Sequence, residues 1–215
     1  VFPRPFWEQE FGLLDPANAS KNGYHIGEFT KPSGGHPPSN DPPYNRALYG
    51  ENSPQVPITD IVTGASVGSL ERSGGCLGAA IEQIYGTFDA RVRYVSLQST
   101  LVRIGVDLLD RVRASPEMQE LNQQWSECMR ESGYDFADPF APSSYPWPEP
   151  APSDQERAAA GADVTCKQAV GYLGAAQRLV SDEVAASSSS VAGLTQDLDD
   201  LTVQVLANAT AVLGE

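Results

Sequence analysis

The sequence predicts an all-α protein: a helical bundle with a long C-terminal coiled-coil-like helix (or hairpin), wrapped by an irregular Pro/Gly-rich N-terminal arm. Three observations predict it. From Gly75 onward, apolar residues recur at three- and four-residue spacing. From Cys166 that spacing runs for over six heptads. Ten prolines fall within the first 57 residues, where no period of 3.6 or 2 is sustained. Two regions follow, an extended arm over 1–74 and a helical domain over 75–215.

In the arm, the prolines favour turns and extended pieces, with at best a short strand near Val56–Val62. Yet it also carries Phe2, Phe6, Trp7, Phe11, Leu13, Leu14, Tyr24, Phe29, Tyr44, Leu48 and Tyr49. Burying one large apolar side chain stabilises by about 1.5–3 kcal/mol, whereas fixing the backbone costs about 1–2 kcal/mol per residue. With so few anchors per residue the arm cannot hold itself in place. It must pack on a surface outside itself, the chain's own or a partner's, with Phe6, Trp7 and Phe11 as anchors.

After Gly74-Gly75, the residues Leu77, Ala80, Ile81 and Ile84 make a short apolar face that Gly86 ends. Asp89 can cap a helix from Ala90 to about Arg113. That helix carries two interleaved stripes, one through Val92, Val95, Val102 and Val106 and one through Tyr94, Leu97, Leu101 and Leu108, so it is placed centrally. Ser115-Pro116-Glu117 starts the next helix, with a hydroxyl to cap it, Pro at the first position and an acid at the positive dipole end. Its face is Met118, Leu121, Trp125, Cys128 and Met129, and Gly133 stops it. Residues 138–152 hold six prolines and form a strap, in which Tyr145 and Trp147 are candidates for partner contact. The final seam runs Val170, Leu173, Gln177, Val180, Val184, Ser187, Val191, Leu194, Leu198, Leu201, Val205, Asn208 and Val212. Ser187–Ser190 has poor helix propensity, so two packed segments broken there are expected. A seam this long needs a mate, and the helix over 90–113 covers only part of it.

Composition bounds the function. The net charge is −14, with 28 acids against 14 Lys and Arg, and no basic cluster offsets it. Nucleic acid is excluded as a partner by like-charge repulsion. Every apolar segment is interrupted by Arg, Asp or Gln well short of the ~20 residues a membrane span requires. The chain starts at Val1 without a leader, which fits a processed export product. Three cysteines, Cys76, Cys128 and Cys166, leave one unpaired if a single disulfide forms.

Chemistry-bearing patterns are absent. His25 and His36 both lie in the arm, and no zinc, phosphate-loop, dinucleotide or serine-nucleophile motif occurs. No catalytic residue, metal ligand or cofactor is therefore assigned. Glu127 with Glu131, or Asp135 with Asp138, could pose as a carboxylate pair, but acids at helical spacing more often form a solvated face. Asp197, Asp199 and Asp200 lie on one continuous helix without the turn that a calcium loop needs. Asn18-Ala19-Ser20 and Asn208-Ala209-Thr210 fit the glycosylation triplet, the second of them on the seam.

The strongest local pattern is Trp125-Ser126-Glu127-Cys128-Met129-Arg130-Glu131-Ser132-Gly133-Tyr134, followed by Asp138-Pro139 and by Asp163-Val164-Thr165-Cys166-Lys167. Here the sequence resembles a family of uncharacterised actinobacterial secreted proteins and lipoproteins with a W-S-x-C-M-x-x-x-G-Y and D-V-x-C-K signature. Gly75-Cys76-Leu77-Gly78-Ala79-Ala80 and Ala47-Leu48-Tyr49-Gly50 resemble the same group, so that the likeness covers roughly residues 45–212. The resemblance implies export, often with a tether through an N-terminal lipidated Cys. Val1 stands at the start of this sequence instead. It also supports a Cys128–Cys166 disulfide, since shorter relatives keep those two cysteines without a third. Both fall on apolar helix faces near opposite ends of the strap, and closing a loop of that size stabilises by about 4 kcal/mol in the chain-entropy model. Cys76 is then expected to be a small buried residue, with intermolecular pairing or reactivity as alternatives.

The functional expectation is a non-enzymatic, exported cell-envelope binding or structural protein, secreted or attached to the outer face of the cytoplasmic membrane. It would serve as an accessory subunit of a membrane-associated complex, a transporter or respiratory assembly, with a protein partner contacting Phe6, Trp7, Phe11, Tyr145 and Trp147. The alternatives are a component of an extracellular assembly whose arm docks on a neighbouring copy, and a cell-wall glycan hydrolase.

Overall fold

A computed structural model of the chain describes residues 6–25, 41–148 and 151–214. It is mostly helical, with a long C-terminal helix and one two-stranded sheet among the described residues. Its elements in order are α1 (Phe6–Phe11), α2 (Pro16–Asn22), α3 (Pro42–Tyr49), β1 (Gln55–Thr59), β2 (Ser66–Glu71), α4 (Gly75–Tyr85), α5 (Phe88–Arg113), α6 (Pro116–Glu131), a 3-10 turn (Ala141–Ser144), α7 (Asp154–Ala169) and α8 (Tyr172–Leu213). The chain divides into two compact units. The first holds Val1–Ser33 and Asp107–Ala185, and the second Gly34–Val106 and Ala186–Glu215. The boundary expected between residues 74 and 75 is thus replaced by a division that runs through α5 and α8.

The irregular arm is also corrected. Its described part folds into α1, α2, α3 and the β1–β2 hairpin. The physical reason is the start signal already read at Ser115-Pro116: Asp15-Pro16 and Asp41-Pro42 each place a capping residue before a proline whose missing N–H costs a first turn nothing. The Asp15 carboxylate accepts from the Ala17 N–H at 2.9 Å. The expected strand near Val56–Val62 is β1, paired antiparallel with β2 from Gln55↔Glu71 to Thr59↔Ser66.

In the first unit, Phe11 is fully buried among Leu108, Leu109, Val112, Met118, Leu121, Tyr172 and Ala176, with Trp7 packed at the edge. A second cluster joins Leu13, Ala19 and Tyr24 to Ala159, Ala160 and Val164. A third holds Trp125, Met129 and Cys166, and Cys128 and Cys166 are bonded (S–S 1.97 Å, Cα–Cα 5.7 Å). Phe11, Leu13, Ala19 and Tyr24 of the arm therefore pack on the chain's own helices, whereas Tyr44 and Tyr49 are exposed. Phe2 and Phe29 lie outside the described residues, as does the Phe6 side chain.

The α6 start is as read, with the Ser115 hydroxyl accepting from Met118 N–H at 3.3 Å. The α5 start is not. Thr87, whose hydroxyl accepts from Ala90 N–H at 3.0 Å, takes the position assigned to Asp89. The break expected at Ser187–Ser190 lies instead between α7 and α8, where Gly171 adopts φ 69°, a conformation other residues reach only with strain. The serine run stays helical, and the Ser190 hydroxyl donates back to Ser187 O at 2.7 Å.

The seam on α8 divides accordingly. In the first unit its inward residues are Tyr172 and Ala176 with Ala175, Leu179 and Val180, while Gln177 and Val184 are exposed. In the second unit Ser187, Val191, Leu194, Leu198, Leu201, Val205 and Asn208 are half-buried as expected, whereas Val212, the last position of the seam, is 55% exposed. There the Asn208 amide donates to Ile84 O at 2.9 Å, and Arg93 pairs with Asp197.

Candidate interaction surface of the first unit

Helix α7 opens with Ser153, whose hydroxyl accepts from Glu156 N–H at 3.1 Å. Spacings of three and four put Glu156, Ala160, Asp163 and Lys167 along one face, the small Ala159 and Ala160 letting α2 come close. Those three ionisable side chains are almost wholly buried, at 0%, 0% and 2% exposure. Burial without partners would cost several kcal/mol per charge, and each has partners. Glu156 Oε1 accepts from Tyr24 N–H and lies 2.8 Å from His25 Nδ1. Asp163 accepts from Trp125 Nε1–H at 2.9 Å, from the Tyr24 hydroxyl at 3.3 Å and from Lys167 Nζ at 3.1 Å. Lys167 also donates to Leu13 O at 3.0 Å. Glu8 accepts from the N–H groups of Leu14 and Asp15 at 2.9 and 2.8 Å.

The chain turns at Gly12 to admit that lysine: a Cβ there would sit 2.8 Å from Lys167 Nζ and 3.0 Å from Pro139 O. Burial pushes the Asp163 carboxyl above its usual range, opposed by the Lys167 charge and the hydrogen bonds it receives. Burial, then the charge of Asp163, likewise raise the Tyr24 hydroxyl far beyond its ordinary value, which keeps it a donor.

Over this lattice lies the strap. Tyr24 stacks on Trp147 at 5.7 Å and 12°, Trp147 contacts Tyr145 at 4.6 Å, and Phe136 meets both. The Ser126 hydroxyl donates to Phe136 O at 2.7 Å, and Trp147 Nε1–H donates to Pro142 O at 2.8 Å. Of the five side chains read as partner contacts, Tyr145 and Trp147 are brought together, with Tyr145 half exposed and Trp147 half-buried. Trp7 and Phe11 stack at 5.7 Å, but Phe11 is spent in the unit's own core and Trp7 packs at its edge. Phe6 falls outside the described side chains.

Two hollows adjoin. A polar groove of about 380 Å³ is lined by Gln119, Asn122, Gln123, Ser126, Glu127, Arg130, Ala137 and Asp138. An apolar cleft of about 260 Å³ lies among Leu14, Val164, Gln168, Gly171, Leu173 and Gly174, with Lys167 in its wall. Glu127 and Asp138 share the groove, whereas Asp135 faces Arg130 at 4.0 Å. Asp138 is engaged by the N–H groups of Phe140 and Ala141. No group of three or more His, Cys, Asp or Glu among the described residues could hold a metal ion. Asn18 bonds to Glu8 and Asn22, and Asn208 to Ile84, so both triplet asparagines have structural work. Cys76 is exposed, not buried.

Sequence reading missed the lattice. Ser153-x-x-Glu156 is a capping-box spacing, which points Glu156 at the helix end rather than at Tyr24 and His25. The available signal was Asp163 with Lys167 at i,i+4 on a face otherwise made of Ala and Val. Among known proteins the chain matches no family model, no curated protein and no solved structure.

Proposed function

We propose that the chain is a non-enzymatic, exported binding or structural protein of the cell envelope, of the kind its cysteine and tryptophan signature resembles, acting as an accessory subunit of a membrane-associated complex. The observation that carries this reading is the use made of its buried ionisable groups. Glu156, Asp163 and Lys167 fasten the arm to α7 and Glu8 closes the arm on itself, and the surface they leave is the aromatic ledge of Tyr145 and Trp147 beside a polar groove. The Cys128–Cys166 disulfide suits an oxidising compartment. No helix among the described residues is long and apolar enough to cross a membrane, so attachment would come through a partner or an anchor.

Packing of the described arm on the chain's own helices weighs against an arm that docks on a neighbouring copy. For the glycan hydrolase there is one specific observation, Glu127 and Asp138 in a shared groove. Glu127 is exposed and Asp138 accepts two backbone hydrogen bonds, so neither has the apolar setting a general acid needs.

Two measurements in native cells test the reading. Thiols are blocked before lysis and the digest is run without reduction. A linked Cys128–Cys166 peptide with Cys76 alkylated is expected, and reduced Cys128 and Cys166 would place the protein in the cytoplasm and end the proposal. A photo-crosslinking residue at Tyr145 should then capture one membrane-associated protein that the same residue at Thr165, on an exposed side of α7, does not. Equal capture at both sites removes the ledge as a binding surface.

A further inference from the structure

Just past α2, the arm meets the first turn of α7 at Glu156. The chain passes over that carboxylate at Gly23, where φ is 55° and an added Cβ would sit 2.5 Å from Glu156 Oε1. Glycine is what lets the backbone come so near. The next two residues both reach the same oxygen. The Tyr24 N–H donates to it at 2.8 Å, and His25 Nδ1 lies 2.8 Å from it. The Glu156 side chain is wholly buried and its second oxygen, Oε2, has no hydrogen-bond partner, whereas the His25 side chain keeps 20% of its exposure.

The charges around this pair are otherwise engaged. On α7, Lys167 is held by Asp163 and Leu13 O, and Arg157 by Asp154 and Pro152 O. The Tyr24 hydroxyl donates to Asp163. On α2, Lys21 is exposed, and at the far end of that helix Glu8 and Asp15 accept from backbone N–H groups. Among the described residues, His25 is the one cationic side chain that meets Glu156.

Two effects then compete at the imidazole. Burial penalises its charged form, and a carboxylate in contact favours that form, by about 1–3 pH units for a close pair. His25 keeps a fifth of its surface in water and Glu156 none, so the pairing outweighs the burial. The positive end of α7 favours an ionised carboxylate, which leaves the imidazole as the group that takes up the proton.

We propose that His25 and Glu156 form an acid-strengthened latch, which holds the end of the described arm on α7 and loosens as pH rises. An imidazolium favoured only in the docked arm contributes stability that is fully present below the undocked value of ~6.5 and is lost as pH rises through the docked one. Tyr24 carries the effect outward, because its ring stacks on Trp147 of the ledge at 5.7 Å. The latch itself does not depend on what the ledge binds.

The test is an NMR titration of the full chain with labelled histidine, in buffer and in concentrated urea. His25→Asn removes one of the two histidine signals and so identifies His25 beside His36. The folded His25 is expected to titrate above its value in urea, by about one pH unit or more, which makes docking about tenfold tighter on the acid side than on the alkaline side. Protection of the Tyr24 amide, corrected for intrinsic exchange, should fall by that factor across the titration. In His25→Asn, whose side-chain amide can stand in for the Nδ1 donor without titrating, Tyr24 protection should no longer follow pH. In Glu156→Gln, the His25 titration should return to its value in urea or below it. A folded His25 that titrates at or below its value in urea overturns the proposal, as does a Tyr24 response equal in the parent and in His25→Asn. A raised His25 value that survives Glu156→Gln assigns the effect to another acid and overturns it as well.

Discussion

The first unit puts charges inside, and the second leaves apolar residues outside. Glu8, Glu156, Asp163 and Lys167 are each no more than 4% exposed in the first unit, and each ties a distant piece of chain to α7 or closes the arm on itself. In the second unit, Asp60 is the one fully buried ionisable side chain among the described residues, while Val62, Val102, Val203, Leu206 and Leu213 are all more than half exposed. The difference teaches where each unit is complete. A buried lattice whose charges are paired rigidifies its unit, although Glu156 Oε2 is buried there without a hydrogen bond. Apolar side chains left in water gain only when something arrives to cover them. The uncovered apolar side chains accordingly lie in the second unit, although the sequence makes the aromatic-rich arm of the first look more adhesive.

The largest expected effect breaks this contrast if it fails. Asp163→Ala removes the acceptor of Trp125, Tyr24 and Lys167 and leaves a buried ammonium without its counter-charge. Such a loss costs about 3–5 kcal/mol, which at ~2–4 °C per kcal/mol lowers Tm by roughly 10 °C. Leu206→Ala, with its side chain in water, should change stability by no more than about 0.5 kcal/mol. Comparable shifts in calorimetry would mean that the lattice does not hold the first unit together.

Trp7→Ala sharpens the contrast at intermediate scale. Trp7 packs at the edge of the Phe11 core and stacks on that ring. Truncation forfeits part of a large apolar side chain and one aromatic pair, about 1–2 kcal/mol. Tm should fall by a few degrees. An unchanged Tm would turn the arm back into a partner-seeking segment.

The fold class, the α6 cap and the strand near residue 56 were legible because each rests on local spacing or on a punctuating residue, whereas the Cys128–Cys166 pair was read from its two apolar helix faces and from the family resemblance. The arm was misread because its prolines were counted as breakers, when Asp15-Pro16 and Asp41-Pro42 use proline as a starter. The break after Ala169 was missed because the 4-3 spacing runs on through Val170, Leu173 and Gln177, so that nothing in it marks the turn at Gly171. The lattice was least legible. Glu156, Asp163 and Lys167 become partners of Tyr24 and Leu13 only once residues more than 130 positions apart meet, and no short window carries that information.

The smallest effect compares the two buried aspartates, whose environments drive them in opposite directions. Asp60 accepts from Arg103 Nε–H at 2.6 Å, from the N–H groups of Val62 and Thr63 at 3.0 and 2.8 Å, and from the Thr63 hydroxyl at 2.9 Å. The Arg103 hydrogen bond, then those of Thr63, hold its carboxyl well below the usual carboxylate range. A depressed carboxyl contributes stability that is complete above its unfolded value, 3.8, and is lost as pH falls toward the folded one. Asp163 is raised, so its folded form takes up a proton more readily than the unfolded chain, and acidification costs nothing through it. Between about pH 4 and pH 2 the β1–β2 hairpin should therefore loosen before the α7 lattice. Amide exchange followed by NMR gives the readout, with Ile61, whose N–H donates to Thr100 Oγ1 at 2.9 Å, reporting on the hairpin and the Trp125 indole on the lattice. Asp60→Asn keeps the shape, removes the titrating group and should flatten the hairpin's acid response while leaving that of Trp125 as it was. If the indole signal goes first, or both go together in the parent and the variant alike, the two carboxylates do not divide the acid response between the units.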